Sequence, residues 1–84
     1  MKLSKQKSRI IVFLSKVSID KTWLGHIASK LQIEYHNCSR LLSEMVGEKL
    51  VLRSVKNSQN KIFFRLSYLG KNEVEYAESV IYGK

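Results

Sequence analysis

The sequence predicts an α+β domain, mostly helical, with a three-helix core, a β-hairpin and a closing helix. Three observations point to this. Apolar residues recur at helical spacing in four separate stretches. Two β-branched and aromatic runs, LVLRSV at 50–55 and IFFRL at 62–66, flank a polar KNSQNK that favours a turn. The 84 residues include no proline, which suits elements that follow one another directly.

The first helix is expected from about Ser8 to Val17, capped by Ser4 or Ser8. Ile10, Leu14 and Val17 share one face, and Ile11 and Phe13 widen it beyond what one side of a small core needs. Ser18 to Lys21 breaks the helix, with a very short strand expected near Ile19. Thr22 or Asp20 then caps a second helix bearing Leu24, Ile27, Ala28 and Leu31 at i, i+3, i+4, i+7. Gln32, Ile33 and Glu34 form the turn into a third helix, from near Tyr35 to about Val46. Its apolar stripe is Cys38, Leu41, Leu42 and Met45, and Gly47 is the expected stop, in the left-handed conformation. In the hairpin, Arg53 and Arg65 are expected to face solvent. Ser67 caps a last helix over 68–82, with Val74, Ala77 and Ile81 on one face and Tyr76 and Val80 beside it. Helix, short strand, helix, helix, hairpin, helix is the order of a winged helix-turn-helix, the hairpin being the wing.

One domain, 1–84, accounts for the whole length, with residues 1–8 read as a basic N-terminal arm that includes Lys2, Lys5 and Lys7. A core this small is often marginal alone, which favours a partner chain. The net charge is +8, and residues 1–67 carry thirteen basic against four acidic side chains. Residues 68–84 are slightly acidic, with Lys71 and Lys84 against Glu73, Glu75 and Glu78. An anionic partner follows: nucleic acid first, an acidic membrane surface second, an acidic protein third. Cys38 is the single cysteine and reads as a small buried hydrophobe in a reducing compartment. Ile10 to Leu14 is only five consecutive apolar residues, against the ~20 a bilayer requires, and no signal peptide is visible. A cytoplasmic protein is expected, associated with a nucleoid, or in a host cytoplasm if viral.

The stretch IASKLQIEYHNCSRLLSEMVGEKLV resembles the helix-turn-helix core of archaeal and bacterial winged-helix regulators of the MarR-like group. Ile27, Ala28, Leu31 and Ile33 fill its first part, and Ser39, Arg40, Leu41, Leu42 and Met45 its second. FFRLSYLGKNEV resembles the strand-to-helix join of the same group through Arg65, Leu66, Ser67, Gly70 and Lys71. The chain is also similar to small archaeal and archaeal-virus winged-helix proteins, often basic homodimers. The resemblance implies a double-stranded DNA-binding transcriptional regulator. It departs from the group at Lys49, where Gly is frequent, and in lacking a Gly at the wing tip. Longer members carry extra dimerisation helices, and this chain has room for one at each end.

The chemistry of the third helix, residues 35–46, fits a recognition helix in the major groove. Arg40 suits the two acceptors of guanine and Asn37 suits adenine, while His36, Ser39 and Ser43 can donate to a base or phosphate and Tyr35 to a phosphate. The wing, 51–66, is expected on the backbone or in the minor groove, through Arg53, Lys56, Asn57, Gln59 and Lys61. Lys21, Thr22 and Lys30 are expected to clamp a neighbouring phosphate. Ile11, Phe13, Tyr76, Val80, Ile81 and Tyr82 look surplus to one core and are the expected homodimer interface. Trp23 reads as a core or interface aromatic. His26, His36 and Cys38 match no zinc spacing, and no metal or cofactor is expected. Nothing resembles a catalytic nucleophile with its base or paired carboxylates, so no enzyme is expected. Two alternatives remain: an architectural protein coating DNA with little sequence preference, and a winged-helix module that docks proteins.

Overall fold

A computed structural model describes residues 3–83. Its elements are α1 (Lys5–Lys16), a 3-10 turn (Ile19–Lys21), α2 (Leu24–Leu31), α3 (Tyr35–Gly47), β1 (Val51–Arg53), β2 (Phe64–Leu66), α4 (Tyr68–Asn72) and α5 (Val74–Tyr82). The order is that of the expected winged helix-turn-helix. Among the described residues no helix is long and apolar enough to cross a membrane.

α1 starts within the stretch read as a basic arm. Ser4 caps it, accepting from the Lys7 backbone N–H at 3.1 Å. Lys5 and Lys7 are therefore helical, while Lys2 lies outside the described residues. Ile10, Ile11, Val12 and Leu14 are all buried in the core of this one chain. Ile11, at 0 % exposure, is thus not available to an interface, which corrects its placement there. The two-sided apolar stripe of α1 serves the helix-turn-helix on one side and α5 on the other.

The short strand is not at Ile19, which is exposed in the 3-10 turn. Backbone bonds from Lys21 to Ser18 and from Thr22 to Ile19 close that turn. Extended pairing falls further on, as a single bridge between Trp23 and Phe63. Neither Thr22 nor Asp20 caps α2; Trp23 occupies the N-cap without a side-chain bond. Thr22 is 2 % exposed and donates its hydroxyl to the Ile19 carbonyl at 2.8 Å. Its hydroxyl is satisfied internally, so Thr22 is removed from the phosphate-binding set.

The turn between α2 and α3 is set by Gln32, at φ 55, with the Ile33 N–H donating to the Ala28 carbonyl at 3.0 Å. Ile33 drops into the core, and Glu34 caps α3. Cys38, Leu41, Leu42 and Met45 form the buried stripe of α3 as expected. The helix end differs. Gly47 stays helical, and Lys49 takes the left-handed conformation, at φ 68. The Leu50 N–H donates to the Met45 carbonyl at 2.9 Å and the Lys49 N–H to Val46 at 3.1 Å. These are the two bonds of a Schellman motif, which orders the orphan carbonyls at the helix end.

β1 and β2 pair antiparallel, Val51 with Leu66, Leu52 with Arg65 and Arg53 with Phe64. Val51, Phe64 and Leu66 face the core, while Arg53 and Arg65 are exposed as expected. The tip needs no glycine. Asn57 Oδ1 accepts from the Gln59 N–H at 2.9 Å and from the Lys61 N–H at 3.0 Å. Asn60 supplies the left-handed residue, at φ 62.

Ser67 caps the closing segment as expected, accepting from the Gly70 N–H at 3.0 Å. The segment is two helices, broken at Glu73, where one helix over 68–82 was expected. Gly70 fixes the first of them in place: a Cβ there would overlap the Leu50 carbonyl oxygen. The Ser67 hydroxyl also donates to the Lys49 carbonyl, tying α4 to the root of the hairpin. α5 then turns to pack along α1, burying Ala77.

Candidate nucleic-acid interface

The candidate recognition face is that of α3, whose stripe docks on the core and leaves His36, Arg40 and Ser43 exposed on the opposite side. Glu34 orders the start of the helix, accepting from the His36 N–H at 3.1 Å and the Asn37 N–H at 2.9 Å. Those donors hold the Glu34 carboxyl below its ordinary value. The His36 ring stands edge-on to Tyr35, with centroids 5.7 Å apart.

Arg40 does not project freely. Its Nη1 donates to Glu44 Oε2 at 2.8 Å and its Nη2 to Asn37 Oδ1 at 2.6 Å. The guanidinium lies along the flank of α3 that faces α1. There Lys7 approaches Glu44 Oε1 at 3.2 Å and donates to Glu48 Oε2 at 2.9 Å. Burial works against the Lys7 charge, but its bonds to Glu48 and Glu44 outweigh that and raise its pKa. Glu44 is held below its ordinary value by Lys7 first and Arg40 second.

The other flank of α3 forms one wall of a cleft of about 460 Å³, whose opposite wall is the wing. Tyr35, Ser39 and Ser43 come from the helix, and Arg53, Lys56 and Lys61 from the wing. Lys61 Nζ sits over the Trp23 ring, 4.2 Å from its centroid, and Trp23 lines the same cleft. The arrangement offers donors and cations around a partly apolar floor that includes Val46 and Phe64.

The structure therefore brings Tyr35, Ser39, Ser43, Arg53, Lys56 and Lys61 around one cleft, with His36, Asn37 and Arg40 on the adjoining surface of α3. Gln59 is exposed at the wing tip, and the Asn57 side-chain oxygen is used inside that turn. Lys21 and Lys30 are exposed but do not line the cleft. Sequence reading missed Lys7, Glu44 and the Lys61–Trp23 contact. The Arg40–Glu44 spacing of i, i+4 is a readable signal. The Lys7 contact comes from a distant helix and has none. Outside the cleft, Phe13 and Ile81 are half-buried and Tyr82 exposed around a second, shallow groove of about 280 Å³ between α1 and α5. Val80 is half-buried and Tyr76 exposed on the same closing helix.

The chain has the winged helix-turn-helix fold of MarR-family regulators. The likeness runs over nearly its whole length. The Staphylococcus aureus MepR–DNA complex superposes with a TM-score of 0.85 at 22% identity, over 96% of this chain and 59% of that one. MepR described as a transcription regulator of the multidrug efflux pump MepA gives 0.83 at 23% identity, over 98% and 60%. Lactococcus lactis ZitR, described as a zinc-responsive MarR family member, gives 0.71 at 19% identity, over 99% and 59%. The chain spans about 60% of the length of the MepR chains it matches. No protein-family model and no curated protein matches the sequence.

Proposed function

We propose that the chain is a double-stranded DNA-binding module of a transcription regulator, with α3 in the major groove and the wing along the backbone or in the minor groove. The observation that carries this reading is the cleft between α3 and the wing, walled by polar donors of the helix and cations of the wing. It presents Arg53, Lys56 and Lys61 opposite Tyr35, Ser39 and Ser43, with His36 and Arg40 exposed elsewhere on α3. Donors on a helix beside cations on a hairpin suit base edges and the neighbouring phosphates respectively, which supports the reading. MepR and ZitR, whose folds match, have been crystallised with DNA, which supports the same reading here.

Selection of bound duplexes from a random pool tests it. An enriched sequence is expected, and Arg40→Ala is expected to weaken binding to that sequence by about 1–3 kcal/mol. A pool with no retained duplex overturns the reading. Retention without enrichment favours the architectural alternative.

The same reading includes a homodimer formed through the α1–α5 side, with Phe13, Tyr76, Val80, Ile81 and Tyr82 as contacts. Half-buried aromatic and aliphatic side chains around an open groove support it. Two-fold symmetry would set two copies of α3 about 34–36 Å apart along DNA. Light scattering at micromolar concentration is the test, and a monomer mass overturns it.

A further inference from the structure

The face that carries Arg40 also carries Glu44, an acid placed where an anionic polymer is expected to approach. Its position is fixed from two sides. Arg40 binds one carboxylate oxygen at 2.8 Å, and Lys7 of α1 approaches the other at 3.2 Å. Lys7 is itself largely buried, with a side chain 14% exposed, and is anchored a second time by Glu48. Glu44 therefore has a partner whether or not Arg40 stays with it.

We propose that Glu44 is a positioning residue that sets sequence discrimination, holding Arg40 along α3 and withholding it from backbone phosphate. The inference rests on the DNA-binding reading above. A phosphate and the Glu44 carboxylate are both anions that seek the same guanidinium donors. A phosphate that takes the remaining Arg40 donors comes to lie beside the Glu44 carboxylate, and the two negative charges repel. A guanine edge is different. It offers two neutral acceptors, O6 and N7. The guanidinium has five N–H donors, and Glu44 and Asn37 engage one nitrogen each. Donors remain for the base while the Glu44 bond is kept. Glu44 thus opposes phosphate contacts more than base contacts, and Lys7 keeps it in place to do so.

The test uses Glu44→Gln, which keeps the shape and removes the charge. Binding is measured to a random-sequence duplex and to the duplex enriched by selection, each across a range of salt. E44Q is expected to bind the random duplex about three- to tenfold more tightly, with a salt slope steeper by about one phosphate contact. Affinity for the enriched duplex should change less, so the ratio between the two falls. Glu75→Gln removes the same charge from the exposed surface of α5 and should leave both slope and ratio unchanged. Glu44→Ala should repeat the E44Q result and guards against a folding defect peculiar to glutamine. If E44Q matches E75Q, or weakens both duplexes in parallel, or if selection enriches nothing, the inference is overturned. Wild-type protein that binds neither duplex overturns the DNA reading itself.

Discussion

At Lys49 the backbone adopts a left-handed conformation that L-residues avoid, at φ 68, because the Schellman bonds at the end of α3 require it. Replacing it with glycine removes the Cβ penalty and adds some unfolded-chain entropy. Lys49→Gly is expected to raise stability by about 0.5–1 kcal/mol in urea denaturation, while Lys49→Val lowers it. Gly70 is the opposite case. Its φ is ordinary, but a Cβ would overlap the Leu50 carbonyl, so Gly70→Ala is expected to cost about 1–3 kcal/mol by displacing α4 from the hairpin root. Cys38 is fully enclosed, and burial pushes its thiol up to about 11. A disulfide reagent should leave it unmodified in the native protein at neutral pH and titrate it once the chain is unfolded.

At the scale of the element, α3 depends on acids at both ends of its exposed side. Glu34 and Glu44 are both held below the ordinary value of 4.5, Glu34 by the His36 and Asn37 N–H groups and Glu44 by Lys7 and Arg40. A carboxyl depressed in the folded state stabilises fully above the unfolded value and loses that contribution as pH falls through the folded one. Thermal stability should therefore drop as pH falls below about 4.5, and Glu34→Gln with Glu44→Gln should flatten that drop. A double variant with an unchanged acid profile would show that the depression comes from elsewhere. The body of α3 was legible because its stripe follows a fixed period. Its exit was misplaced because glycine draws the eye to Gly47, whereas the Schellman bonds put the left-handed residue two positions later. The wing was legible from its β-branched runs, but the short strand expected near Ile19 lies at Trp23 instead, because its partner Phe63 is brought there only by the packing of the wing. The polar residues of the face were legible as types. Which of them are already occupied was not, since Lys7 reaches Glu44 only through the packing of α1 on α3.

The whole molecule is elongated, 41 × 25 × 21 Å, with the wing and α3 offering one surface and the α1–α5 side another. Burial of Ile11 shrinks the second surface to half-buried and exposed groups. The proposed homodimer then leans on Phe13, Ile81 and Tyr82, and Phe13→Asp should shift the protein to monomer in light scattering. If it does so without changing the helical circular dichroism, the side chain acts between chains and not within one.

Trp23 gives the molecule an optical reporter of its own. It is the sole tryptophan of the chain, and it lies in the cleft between helix and wing with the Lys61 ammonium 4.2 Å from its ring. Any anion that draws that ammonium away, or any shift of the wing, changes the polarity around the indole. Duplex added to unlabelled protein should alter emission excited at the indole band, and Lys61→Met should abolish most of the change. A chain with one tryptophan at the seam of α3 and the wing can be titrated without a dye.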